Sequence, residues 1–178
     1  MHYHAEVWLP KDTENVRETV EDIMAPYQEE HSNNGFWDWY SIGGRWTGVH
    51  DGYDASQDIR NYAICNMCYG TGIRTDLVEK TGEVHAKACR GCNSCSGRGV
   101  RREWDNTPHP GDIMELDKVK DSMSCFMLLV YKDEETEIVK FKDFTYLLGE
   151  QSGESVKKYL KDNFDIIDGY LVTVDYHS

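Results

Sequence analysis

The chain opens on a strict alternation of apolar and polar side chains. Tyr3, Ala5, Val7 and Leu9 fall on one face of an extended segment, and His2, His4, Glu6 and Trp8 fall on the other. A period of two predicts a half-buried strand, which Pro10 ends. The period then changes. Val16, Val20, Ile23, Met24 and Tyr27 follow the stripe of an amphipathic helix, with Asp12 or Thr13 available as its cap and Glu29 and Glu30 marking its end. Further on, Ser124 to Tyr131 is an almost unbroken apolar run of a length that suits a central strand. Lys132 to Glu135 reads as a turn into a second strand through Ile138, Val139 and Phe141. Ser152 is placed to cap a helix carrying Val156, Tyr159, Leu160 and Phe164. After Asp168 and Gly169 a last strand runs from Tyr170 to Tyr176.

Without its middle, the chain reads β-α-β-β-α-β. That order predicts an α+β fold of the ferredoxin-like kind, with two helices covering one face of a four-stranded antiparallel sheet. Residues 1–31 and 123–178 form this body. Residues 32–122 are then an insertion between the first helix and the second strand, comprising an aromatic loop at 35–48 and a cysteine module at 60–102.

The length of 178 residues suits one domain with a compact insert and excludes two full-sized domains. Nineteen basic against 32 acidic side chains give a formal charge of −13, so the molecule as a whole repels nucleic acid and anionic membrane surfaces. The absence of any apolar run near the roughly 20 residues of a membrane helix, and the lack of a signal-peptide layout after Met1, lead to the expectation of a cytoplasmic protein with no membrane partner.

Five of the six cysteines fall between Cys65 and Cys95, and Cys125 stands apart. This is the spacing of metal ligands rather than of a disulfide framework. Cys65-x-x-Cys68-x-Gly70-x-Gly72 and Cys92-x-x-Cys95-x-Gly97-x-Gly99 are two copies of one motif. Two such knuckles can present four thiolates to one zinc ion, with the glycines allowing the tight turns around the sulfurs. Cys89 forms a C-x-x-C of its own with Cys92 and is an alternate ligand, and His85 is a further fallback. A filled thiolate set leaves no position for a reactive water, so one structural zinc is expected. Residues 65 to 99 resemble the cysteine-rich zinc module of DnaJ-type co-chaperones, with two motifs where that module has four. The resemblance implies a single zinc site and a role in protein contact. The His-Pro-Asp signature of the J-domain is absent, so co-chaperone activity is not implied.

Between Arg60 and Arg102 the balance of charge reverses, with eight basic side chains against three acidic ones. Arg90, Arg98, Arg101 and Arg102 cluster at the end of the module, where they could meet a partner protein or a nucleic-acid backbone. The aromatic segment offers Trp37, Trp39, Tyr40, Arg45 and Trp46. These could stack on a base and grip a phosphate, or could bury a bare face of the sheet. The W-x-W-Y-x-x-G-G-R-W stretch, the cysteine module and the closing strand from Leu171 to His177 together are similar to small phage-borne and bacterial proteins of unassigned function.

If the first and last strands are antiparallel neighbours, His2 and His4 lie beside Asp175 and His177. Such a group could bind a divalent metal or move protons on a phosphodiester. The expected function is that of a zinc-binding, non-enzymatic interaction protein. A phage accessory or anti-defence factor is the form this takes, bound to a host protein or nucleoprotein complex, with direct nucleic-acid contact only through the basic insert. The competing expectation is a small metal-dependent phosphodiesterase or nucleotide-binding protein built on the histidine cluster or on the loop around Arg45.

Overall fold

A computed structural model describes residues 1–30, 33–74, 91–103, 109–140 and 155–178. The chain divides into two compact units, Met1–Asp54 with Pro108–Ser178, and Ala55–Thr107.

The first unit is a six-stranded sheet. Strand β1 spans His2–Leu9, and helix α1 spans Val16–Met24 and ends in a short 3-10 turn through Tyr27. The helix starts after Asn15, because Thr13 spends its hydroxyl on the Pro10 carbonyl at 2.8 Å and belongs to the preceding turn. Strands β2 (Trp39–Ile42) and β5 (Ile113–Glu115) come from the middle of the chain. Strands β6 (Met127–Lys132) and β7 (Glu135–Lys140) form the expected hairpin, closed by Asp133 and Glu134 with positive φ of 53° and 65°. That is the twist a two-residue hairpin turn requires. Helix α2 spans Val156–Phe164 and strand β8 spans Tyr170–His177. The α2 cap is Ser155, whose hydroxyl accepts from the Lys158 N–H, while Ser152 and Phe141 lie outside the described residues.

The strand order is β2-β8-β1-β6-β7, with β5 also pairing β8. The predicted antiparallel contact of first and last strands is present, with His2 opposite His177 and His4 opposite Asp175. The ferredoxin-like order is not. There the third strand of the body sits beside the first, whereas here β6 does, running parallel to β1 with Val7 opposite Leu129. Burial explains the choice. Met127, Leu128, Leu129 and Val130 are all buried and need cover on both faces, which only a central position provides. Strand β7 carries exposed Glu135, Glu137 and Lys140, which suit an edge.

The helices also separate, one to each face. Val20, Ile23 and Met24 of α1 pack with Ala5, Val7, Leu9, Met127, Leu129, Val172 and Val174. Val156 and Leu160 of α2 pack on the opposite side with Trp8, Leu128, Val130 and Leu171, together with Leu116, Val119 and Met123. The supposed polar face of β1 is therefore interior too: His4, Glu6 and Trp8 are all buried.

The second unit contains the antiparallel pair β3 (Tyr62–Ile64) and β4 (Val100–Arg102), with Ile64 opposite Val100. Its hydrophobic cluster consists of Cys65, Cys68, Cys92 and Cys95.

Candidate metal centre and a buried histidine network

The two knuckles are related by an internal repeat. The Cys65 N–H donates to the Gly99 carbonyl at 2.9 Å, and the Cys92 N–H donates to the Gly72 carbonyl at 2.6 Å. Tyr69 and Ser96 hold matching positive φ of 49° and 53°, and Gly72 and Gly99 share a φ of 77°. A Cβ on Gly72 would stand 2.4 Å from the Gly97 oxygen, and one on Gly99 would stand 2.3 Å from the Gly70 oxygen. Each motif is thus locked into the other at a spot where only glycine fits.

This interlock turns four sulfurs inward. Their ligand atoms all lie within 4.8 Å of one another, and all four residues are buried. The Cys65 and Cys92 sulfurs are 3.9 Å apart and those of Cys68 and Cys95 are 3.7 Å apart. Disulfide sulfurs lie at about 2 Å, so these are thiols. A tetrahedral zinc ion with Zn–S near 2.3 Å places its sulfurs roughly 3.8 Å apart, so the donor set fits that ion. The Gly99 N–H points at the Cys95 sulfur from 3.2 Å and offsets part of its charge. Burial acts to raise the Cys65 thiol, but the Met67 and Cys68 N–H groups draw it below its ordinary value. Cys68 moves the other way, raised by burial and by the thiols of Cys65 and Cys95. One thiol of the set therefore gives up its proton readily. Four protein sulfurs complete a tetrahedron, so an ion held here has a structural role. Cys125 stands away from the cluster, its Sγ 3.0 Å from the Met127 oxygen. Cys89, His85 and Arg90 lie outside the described residues.

A different constellation lies on the second face of the sheet. Glu6, fully buried, receives His4 Nε2 at 2.7 Å, His50 Nε2 at 2.8 Å and the Thr173 hydroxyl at 3.0 Å. His50 Nδ1 lies 2.8 Å from the Gly111 carbonyl. The Glu6 carboxylate and the Gly111 carbonyl, two acceptors on opposite ring nitrogens, favour the doubly protonated form of His50, and the Thr173 hydroxyl lies 3.0 Å from the same Nε2. Burial works to raise the Glu6 carboxyl, yet the His50 charge and the two imidazole hydrogen bonds hold it at about 2 against an ordinary 4.5. Burial likewise works against the charged form of His50, and the Glu6 charge and hydrogen bond lift it above 6.5. The Trp46 ring stacks on His4 at 4.9 Å and closes this end of the network.

His2 and His177 remain at the sheet edge. His2 Nδ1 is 2.9 Å from Asp175, and His177 Nδ1 is 2.9 Å from Asp38. The predicted group thus assembles in part: Asp175, His2 and His177 meet, while His4 turns inward to Glu6. Asp175 also accepts the Arg45 backbone N–H at 2.9 Å, so Arg45, an exposed residue, contributes its main chain here.

The aromatic segment is largely a building element. Trp37 is buried against α1 and donates its indole N–H to the Met24 carbonyl at 2.9 Å. Tyr40 packs on the same cluster, and Trp39 keeps 40% of its surface exposed. Arg98 and Arg101 are exposed on the cysteine unit, and Arg102 is half-buried. His50 had no signal in the sequence, since it sits among turn residues. The one available hint was Trp8, which marks the face of β1 holding Glu6 as interior.

Comparison with family models, curated proteins and solved structures finds no match. Among the described residues, no helix is long and apolar enough to cross a membrane.

Proposed function

We propose that the protein is a non-enzymatic, zinc-binding adaptor, in which the four-thiolate centre shapes a contact surface for an acidic, partly apolar segment of a partner protein. The observation that carries this reading is the distribution of exposed apolar side chains. Ile59, Ile64, Met67, Tyr69, Ile73 and Val100 are exposed on the described part of the unit that carries the cysteine cluster, whereas the described part of the larger unit exposes Met1, Trp39 and Ile167 among its large hydrophobics. Strand pairing sets Ile64 beside Val100, and Arg101 is on the same short ribbon. Apolar surface interleaved with arginine is the composition of an interface centre. A host protein or nucleoprotein complex as that partner, and a phage anti-defence setting, rest on the resemblance of the motifs alone. The similarity to the DnaJ-type module supports a contact role.

Affinity capture from the native host tests this reading. Zinc-loaded wild-type protein should retain a partner that Ile64→Asp and Tyr69→Ala variants, still loaded with zinc, release. Retention by both variants, or recovery of nucleic acid without protein, would overturn it.

A further inference from the structure

We propose that His2 and His177 form a second metal site, for a divalent ion of the zinc, nickel or cobalt class, where β1, β8 and β2 end together. This site is independent of the thiolate centre and of the adaptor reading.

A carboxylate can only accept, so the Asp175 contact at 2.9 Å holds the proton of a neutral His2 on Nδ1, and the Asp38 contact at 2.9 Å does the same for His177. Each ring is then left with its Nε2 lone pair, and among the described residues neither Nε2 has a hydrogen-bond partner. A histidine whose other nitrogen donates to a carboxylate is the usual form of a metal ligand, because the carboxylate fixes the tautomer and makes the ring more basic.

The spacing of the rings agrees. Their centroids are 5.5 Å apart and their planes cross at 77°. Two imidazoles bonded to one tetrahedral ion at 2.0–2.1 Å have centroids roughly 5 Å apart. Trp39 fixes both rings: its indole lies parallel to His177, 5.8 Å away at 5°, and meets His2 edge-on at 5.1 Å. The two side chains keep 19% and 34% of their surface exposed, so an ion can enter and water can complete its shell. Asp175 and Asp38 supply two negative charges next to the incoming cation. With two protein ligands against four, this site is the weaker of the two.

Titration of the zinc-loaded full chain with nickel(II), followed by calorimetry and tryptophan fluorescence, tests the proposal. One further equivalent of ion should bind and quench Trp39, and in the wild-type NMR spectrum the ring signals of His2 and His177 should broaden first. His2→Ala and His177→Ala should each abolish this equivalent while leaving the zinc content and circular dichroism unchanged. Asp38→Asn keeps both imidazoles and should weaken binding about 10- to 100-fold. The proposal is overturned if wild-type protein binds no ion beyond the thiolate centre. It is equally overturned if the extra equivalent survives His177→Ala, which would place it at the amino terminus or on the acidic surface, or if other signals broaden before those of the two rings.

Discussion

His50 Nε2 lies 2.8 Å from Glu6 Oε2 on the second face of the sheet, and neither side chain has any exposed surface. A buried ion pair of this kind is costly to break from one side, because the survivor is left charged and unpaired. Glu6→Ala or His50→Ala should each destabilise the sheet unit by about 3–5 kcal/mol. Removing both charges together, as in a Glu6→Gln and His50→Gln double variant, should cost less than the sum of the two. Urea unfolding read through a double-mutant cycle measures this; strictly additive losses would mean the pair does not act as a unit.

The same pair sets a pH window. Glu6 is held at about 2 in the folded chain against 4.5 when free, so its contribution to stability is complete above pH 4.5 and is lost as the pH falls toward 2. His50 is raised above 6.5, so its contribution is complete below pH 6.5 and is lost as the pH rises through the elevated value. The difference in Tm between wild type and the Glu6→Gln, His50→Gln variant should therefore be largest between pH 4.5 and 6.5. Thermal unfolding across pH 3 to 9 checks it, and a flat difference would contradict the charged assignment of the pair.

These residues also show where the sequence stopped being legible. Alternation located β1, but alternation separates two faces without saying what covers the second one. Trp46, His50, Leu116 and Val119 supply that cover, and they come from remote segments whose own pattern is that of turns. The apolar run at Met127 to Val130 was readable as a central strand, yet its partner depended on the polarity of β7, which the order of elements alone does not weigh. The clustering of Cys65, Cys68, Cys92 and Cys95 was readable because its chemistry is local: spacing, residue type and glycine placement all lie within one stretch.

The interlocked repeat makes a symmetric prediction. Gly72→Ala and Gly99→Ala each force a Cβ to within 2.4 and 2.3 Å of a carbonyl oxygen of the opposite motif. Both also place alanine at a φ of 77°, where the left-handed region alone costs about 1–2 kcal/mol. The two variants should lose zinc affinity by similar factors, at least about tenfold. Competition against a chromophoric chelator measures this. A large loss in one and none in the other would show that the motifs do not brace each other.

The hydrophobic cluster of the Ala55–Thr107 unit consists of the four cysteines, while its larger apolar side chains in the described segments, such as Ile64 and Tyr69, face outward. With so little else buried among its described residues, an ion held there would take the place of a core, and metal binding and folding of this unit would become one event. The sheet unit has two hydrophobic clusters of its own. Cys65→Ser, or removal of zinc by a chelator, should therefore expose residues 60 to 102 to rapid proteolysis. The segments carrying β1, β6 and β8 should stay protected, with the near-ultraviolet signal of Trp8 and Trp37 retained. Uniform digestion of the whole chain would show instead that the sheet draws its stability from the metal centre.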